Sequence, residues 1–363
     1  MNISLCDDRE VWNAAVEELS GSIYQSWQWG ELRKILGWKP WRVLGTVAGQ
    51  PRVAAQILER GWPMLPYSVL YASRGILFRQ DDLDSAAKFV EWIRGFLKSR
   101  YGVFLRVDPI VEDTDQTLKQ MFAALGFRRL PDRGSIWNTP RAIMIVSLQP
   151  SEEELIRNMR GTHRRDIAHA QRRGLELELD DRMERLSEFY NLLLKSAEYQ
   201  SIPVRSYHYY EILAREFNPK EGSILVLARA GGKPAAGILC ARFGNVCYNL
   251  YAGFDHEFEK LRANPSVHWR AMQWAKAKGC RNYDMTGAGT AYPPHEGNWG
   301  YGLYQFKRGF GAELHYYAGY FDLVRLESTY SMIRYFEKNI VGRLHHLAAK
   351  TVASLMQFRL ADS

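Results

Sequence analysis

Two stretches of this chain are punctuated at one interval. Gly49-Gln50-Pro51 and Gly232-Lys233-Pro234 both read as turns between strand-like runs, and Pro51 and Pro234 lie 183 residues apart. Gly126-Phe127 and Gly309-Phe310 repeat the spacing of 183, and Tyr71-Ala72 and Tyr251-Ala252 stand 180 apart. A nearly constant offset restricts the fold more than any single motif, because both halves must then follow one plan. The length of 363 residues agrees, being long for one core and suited to two modules of about 150–180 residues.

The plan can be read from the periodicity. Helical spacing is expected over Arg9 to Leu19 and again through Trp29, Leu32, Ile35 and Leu36, where Gly37 stops the run. Strand-like runs follow at Trp41 to Ala48, Arg52 to Glu59, Val69 to Ala72 and near Ile76. Next come a helix from Leu83 to Ser99, a strand from Val103 to Val107, a helix from Gln116 to Leu125 and a final strand from Ala142 to Leu148. The second half repeats the order with strands at Ile224 to Ala230, Ala235 to Arg242 and Val246 to Tyr251, a helix at Pro265 to Lys278 and a strand at Asn282 to Met285. A hairpin, a strand, a long helix and another strand form the order of acetyltransferase-like folds, an α/β (α+β) class with a mixed central sheet. The chain thus reads as tandem GNAT-like domains. The first is expected over residues 1–150 with 323–363 packing back on it, the second over 151–322.

Ordinary members of that fold hold the pyrophosphate of acyl-CoA on a glycine-rich loop at the start of the long helix. The corresponding stretches are Arg79-Gln80-Asp81-Asp82 and Glu259-Lys260-Leu261-Arg262-Ala263-Asn264, and neither contains glycine. The reading keeps the fold, doubts CoA and expects no cofactor. Four cysteines without CxxC spacing argue against a zinc site or a disulfide framework, so no metal is expected and a reducing, cytoplasmic setting fits. No apolar run approaches the roughly 18 residues of a spanning helix. The excess of 48 Lys+Arg over 40 Asp+Glu, +8 in all, allows an anionic partner such as RNA, a phosphorylated substrate or anionic lipid.

Two stretches concentrate that charge. Residues 151–173, SEEELIRNMRGTHRRDIAHAQRR, open with a Ser151/Glu154 capping box and read as one helix with six arginines and no lysine, a face suited either to solvent or to phosphates. In GLYQFKRGFGAELHYYAGYFDL, Lys307 and Arg308 sit between Phe306 and Phe310, and the segment is expected to be a glycine-bearing turn at the start of a strand.

With those pieces in hand, the chain resembles the Fem (FemABX) family of non-ribosomal peptidyltransferases. The likeness rests on SWQWGELRKILGW, VDP at 107–109, THRRDIAHAQRRGLE, Ile202-Pro203-Val204-Arg205 before Tyr209, YNLYAG at 248–253, WAKAKGCRNYDMTGA and the GLYQFKRGFGAELHYYAGYFDL stretch. These motifs occur in order over nearly the whole chain.

The resemblance implies tandem acetyltransferase-like domains, and an aminoacyl-tRNA as donor to an amine of a peptidoglycan precursor, with formation of an interpeptide bridge. Too few residues separate the helix near Tyr207 to Phe217 from the strand at Ile224 to hold the coiled-coil arm of long members, which implies the compact, monomeric type. The resemblance also implies roles. Lys307 and Asp108 become catalytic candidates, Lys307 for the oxyanion and Asp108 to orient or deprotonate the amine. Phe306 would stack on the terminal adenosine. Arg33, Arg205, Tyr209, Tyr248 and Tyr251 would hold the acceptor, whose diphosphate carries either uridine or a lipid. Arg160, Arg164, Arg165, Arg172 and Arg173 would meet the tRNA.

Each residue also has a plain structural reading: Lys307 a solvated charge, Asp108 a turn former before Pro109, Arg205 a surface ion pair, Tyr209 a core residue. Asp284 reads as the partner of a backbone turn, and Trp27 and Trp29 read as packing. Other uses of the fold stay open: aminoacylation of a peptide natural product or a surface-polysaccharide intermediate, or noncatalytic RNA binding. The basic tail after Asp322 is expected to pack on the first domain or to touch the inner face of a membrane.

Overall fold

The computed structural model describes residues 1–61, 66–79, 82–130, 139–200, 202–217, 222–289, 293–297 and 300–341. They form two compact units: one takes residues 1–141 and resumes at 316, the other holds 142–315.

The first unit opens with β1 (Asn2–Leu5), α1 (Arg9–Glu18) and α2 (Trp27–Lys34). Asp8 caps α1 by accepting from the Glu10 and Val11 amides, and Ser26 caps α2 through Trp29 N–H. β2 (Lys39–Val47), β3 (Gln50–Gly61), β4 (Ser68–Ala72) and β5 (Leu77–Phe78) follow, then α3 (Leu83–Ser99), β6 (Gly102–Val107), α4 (Gln116–Ala124) and β7 (Phe127–Arg129). The second unit contains β8 (Ala142–Ser147), α5 (Glu152–Asn158), α6 (Gly161–Arg172), β9 (Glu176–Asp180), α7 (Leu186–Gln200) and α8 (Tyr207–Glu216). It continues with β10 (Ser223–Ala230), β11 (Lys233–Phe243), β12 (Val246–Phe254), α9 (Asn264–Ala277), β13 (Asn282–Gly287), α10 (Tyr301–Arg308) and β14 (Glu313–Tyr316). β15 (Phe321–Val324) and α11 (Glu327–Phe336) belong to the first unit.

Both sheets are mixed and share one order. The first runs β1-β2-β3-β4-β6-β15-β7 with β5 paired to β3, and the second, read the same way, runs β9-β10-β11-β12-β13-β8-β14. In each, an antiparallel meander meets one parallel pair, β4 with β6 and β12 with β13. The parallel crossover is the long helix, α3 or α9, as a βαβ connection requires.

The strand that follows each parallel pair comes from a distant part of the chain. β8, expected as the last strand of the first module, pairs antiparallel with β13 of the second sheet, and β15 takes the matching place beside β6. The boundaries therefore fall at 141/142 and 315/316 rather than at 150/151 and 322/323. A six-residue apolar run specifies a buried strand but not which sheet it joins, and that is why the sequence placed it wrongly.

Charge fastens β15 and α11 to the first sheet. Arg106, on β6, is fully buried and makes a two-pronged pair with Asp322 at 2.8 Å and a second pair with Glu337 at 2.8 Å. Tyr330 of α11 donates to Asp322 and packs with Ile333 on Phe104, Val69 and Trp38. Residues 321–337 of the basic tail region thus dock on the first unit, and residues 342–363 lie outside the described residues. No helix among the described residues is long and apolar enough to cross a membrane.

The arginine-rich segment forms two helices rather than one. The Ser151/Glu154 capping box is present, but α5 ends at Met159, which is extended at ψ 149°, and α6 starts afresh from Arg160. Between α8 and β10, residues 217 and 222 bracket a gap far too short for an arm. β1, β9 and α7 were not anticipated, because short edge strands and a helix with a broad apolar face carry little periodic signal.

Candidate functional site

The parallel pair of the second unit separates early. β12 and β13 are paired only at Val246–Asn282, Cys247–Tyr283 and Tyr248–Asp284, although β12 runs on to Phe254 and β13 to Gly287. The point where parallel strands diverge is the usual ligand crevice of an open α/β sheet. Asp284 bends β13 there: its carboxylate accepts from Thr286 N–H at 2.6 Å, and Thr286 takes φ 61°. This is the turn role expected for Asp284.

Lys307 reaches the bend from the last turn of α10. That segment was expected to be a turn at the start of a strand, yet it is helical from Tyr301, with Gly300 in the left-handed region before it and Gly311 at φ 79° after it. The Lys307 side chain is not a solvated charge. It is 5% exposed, and its ammonium donates to the carbonyls of Met285 and of Gly287, the latter at 2.7 Å. An ammonium has three N–H donors, so one is left over after these two carbonyls. Burial pushes its pKa down to about 8, opposed by the negative charge of Asp284.

Phe306, one residue before, is half-buried against the imidazoles of His163 and His268 and the ring of Phe310. His268, on α9, is buried with its Nδ1 3.1 Å from the Tyr283 hydroxyl, and burial pushes its pKa down to about 3, so the ring is neutral. Arg160 joins this group, its guanidinium donating to Gln305 Oε1 at 2.6 Å. Arg164, Arg165 and Arg172 are exposed on α6, as is Arg173 at its C-terminal cap. Arg164 also donates to the carbonyls of Arg157 and Met159, which ties the two helices across their break.

A second group in this unit is aromatic. Tyr209 is buried, as its core reading required. Its hydroxyl accepts from the Tyr251 hydroxyl at 3.0 Å, and Tyr210 packs on both rings. The exposed Arg205 has its guanidinium carbon 5.7 Å from the Tyr209 ring centre. Tyr248 is buried on β12 opposite Asp284.

The first unit holds the other two candidates. Asp108, just past β6, is 2% exposed. Its Oδ1 accepts from the Arg74 amide at 2.9 Å, and its Oδ2 lies 3.7 Å from the Arg74 guanidinium without a hydrogen bond. Burial raises its pKa and Arg74 opposes the rise. Arg74 also donates to the Pro140 carbonyl at 2.6 Å and lies over the Tyr317 ring. Arg33 is half-buried on α2, 6.0 Å from the centre of the Trp38 ring. Trp29 is buried and Trp27 carries Arg42 at 3.4 Å over its face, so this pair packs as expected. Sequence reasoning missed Arg74, His163 and His268. A buried arginine or histidine has no periodic signature, and only HRRD inside the basic stretch marked His163 at all.

The helix starts that hold pyrophosphate in CoA enzymes are otherwise engaged here. Asp82 puts a carboxylate on the first amides of α3 by accepting from Ser85 N–H, and repels an anion. In α9, Pro265 removes one of the free amides.

A family model described as an acetyltransferase (GNAT) domain matches residues 157–308. The lipid II:glycine glycyltransferase of Staphylococcus aureus (strain USA300) is 23% identical over 384 aligned residues, covering 86% of this chain and 90% of that protein. The protein of the same name from Staphylococcus epidermidis (strain ATCC 35984) is 22% identical over 379, with the same coverage. Among solved structures, the crystal structure of FemX superposes with a TM-score of 0.84 at 21% identity, covering 92% of this chain and all of that one. L-PGS from Bacillus licheniformis superposes at 0.53 with 12% identity, covering 93% of this chain and 97% of that one. The tandem acetyltransferase-like fold expected from the repeat is the fold of this chain, and its resemblance to the Fem family is borne out.

Proposed function

We propose that this Fem-like chain is an aminoacyltransferase that moves an amino acid from a charged tRNA to an amine of a peptidoglycan precursor, building part of an interpeptide bridge. The peptidoglycan reading is supported by the relatives named lipid II:glycine glycyltransferases. The observation that carries the chemistry is Lys307, a buried ammonium with a donor to spare at the divergence of β12 and β13.

In the proposed reaction, the acceptor nitrogen attacks the ester carbonyl, an N–C bond forms, and the C–O bond to the tRNA ribose breaks. The proton lost by the amine ends on the ribose oxygen. Charge gathers on the carbonyl oxygen in between, and a fixed cation in a dry crevice stabilises it without reorganising. Phe306 offers a ring for the terminal base, and the exposed α6 arginines offer charges for the tRNA backbone. Arg33, Arg205, Tyr209, Tyr248 and Tyr251 are proposed as contacts of the acceptor, with the arginines serving its diphosphate. Asp108, whose buried Oδ2 has no hydrogen-bond partner, is proposed to orient the amine. We further propose that the enzyme works as a monomer in the cytoplasm, at the inner membrane face if its acceptor is lipid-linked.

The test is transfer of radiolabelled amino acids from a total charged tRNA pool to the UDP-linked muramyl pentapeptide and to its lipid-linked form, with RNase pretreatment as control. Labelling that RNase abolishes supports the reading, and the better acceptor identifies the carrier. No labelling of either acceptor with active charged tRNA present would refute it.

A further inference from the structure

We propose that His163 is a positioning residue for Lys307, holding the last turn of α10 from the start of α6; its kinetic consequence rests on the aminoacyl transfer proposed above.

α10 has only eight residues and no side-chain cap at its N-terminus, so its own hydrogen bonds fix its placement poorly. Its C-terminal carbonyls need partners, and α6 supplies them. His163 Nε2 lies 2.8 Å from the Phe306 carbonyl, and Arg160 N–H donates to the Gly309 carbonyl at 2.7 Å. A carbonyl only accepts, so the proton of His163 is on Nε2. Its Nδ1 is buried and has no hydrogen bond. A doubly protonated ring would bury an unpaired N–H, and burial accordingly lowers the pKa of His163. The charged and titratable neighbours are Asp166 and Arg160 on its own helix and His268 on α9, while Lys307 faces Asp284 on β13.

Shape reinforces the hydrogen bond. The His163 ring stands edge-on to Phe310 with centroids 4.5 Å apart and 5.2 Å from Phe306. It also lies on Gly309, where an added Cβ would come within 2.5 Å of Nε2. Gly309 has an ordinary right-handed backbone at φ −61°, so its lack of a side chain makes room for this ring and does not serve a turn. The residues on either side of Lys307 are therefore gripped, and its ammonium is set on the Met285 and Gly287 carbonyls as a result.

The full chain would be compared with His163→Ala, His163→Gln, Gly309→Ala and the double variant, each first checked for a native circular dichroism spectrum. With 13C/15N-lysine-labelled protein, the Lys307 signal, assigned by its loss in Lys307→Met, should titrate near pH 8 in the parent. It should move back toward the ordinary lysine range in His163→Ala and in Gly309→Ala. In transfer assays, kcat should fall about 10- to 100-fold, as small misplacements of a reacting group do, with KM for charged tRNA unchanged. Gln keeps an N–H donor and should retain most of the rate. Because both single changes act on one contact, the double variant should be no worse than His163→Ala alone. An unshifted Lys307 titration in folded His163→Ala, or a rise in KM alone, would overturn the proposal. If the parent transfers nothing from any charged tRNA, the functional reading fails, and the titration still decides whether His163 positions Lys307.

Discussion

The two units follow one strand plan and treat its parallel pair in opposite ways. In the first, β4 and β6 stay paired to their ends, through one register shift after Ser68 and with Ala72 opposite Val107, and the residues just beyond, Arg74 and Asp108, close on each other as a buried pair. In the second, β12 and β13 part after Tyr248 and Asp284, and the buried charge beside the opening is Lys307. The offset of 183 residues puts Ala124 at the position in the first unit that Lys307 holds in the second. Charge buried in the first unit has a partner of opposite sign. Lys307 is hydrogen-bonded to two neutral carbonyls, with Asp284 acting on it only through its charge, and keeps a donor, so the duplication sets an ion pair beyond one parallel pair and a cation beside the other.

The largest effect that would break this comparison is on stability. Asp322→Ala removes the two-pronged partner of Arg106 and the acceptor of the Tyr330 hydroxyl while leaving the Glu337 pair, and should cost about 3 kcal/mol by denaturant unfolding, the low end of what breaking a buried pair costs. A loss under about 1 kcal/mol would mean that the charges of the first unit do not hold its fold. Next in size, Lys307→Met should lower kcat by about 10²–10³, as loss of an oxyanion donor does, with little change in KM.

The same variant sharpens the contrast through its stability. Lys307 titrates near 8 in the fold and at 10.5 when free, so its burial opposes folding fully below pH 8 and the opposition fades between pH 8 and 10.5. Lys307→Met should therefore be more stable than the parent at pH 7 by on the order of 1–3 kcal/mol, with the gap shrinking by pH 10.5. A destabilised Lys307→Met at pH 7 would make Lys307 a structural charge like Arg106. The smallest effect belongs to the exposed face of α6. Arg165→Ala should raise KM for charged tRNA severalfold and reduce its salt dependence by about one unit of slope, leaving kcat unchanged.

Much of the fold could be read before any coordinates. Gly-Lys-Pro and Gly-Gln-Pro fix equivalent hairpins because turn chemistry is local, and α3 falls on its expected bounds because its apolar residues keep a helical period. The placement of β8 and β15 was not legible, since the choice of sheet depends on contacts far away in sequence, such as Arg106 with Asp322, 216 residues apart. The site divides in the same way. Lys307 was marked by its setting between aromatic residues and glycines, but its burial was not, because QFKRGFG looks polar until the last turn of α10 folds against β13. Gly309 looked like a turn glycine and proved to be the bed of an imidazole.

The central claim is that a protonated Lys307 in the second unit carries the chemistry. The most direct test is the single-turnover rate of aminoacyl transfer to the better acceptor, measured from pH 6 to 10 with the parent and Lys307→Met. The account predicts that the parent rate rises as the acceptor amine loses its proton and falls above about pH 8 as Lys307 loses its own. The variant should be 10²–10³ slower at neutral pH and lack that alkaline fall. A variant that keeps the parent's rate and its alkaline limb would contradict the claim and move the search for the catalytic group away from α10.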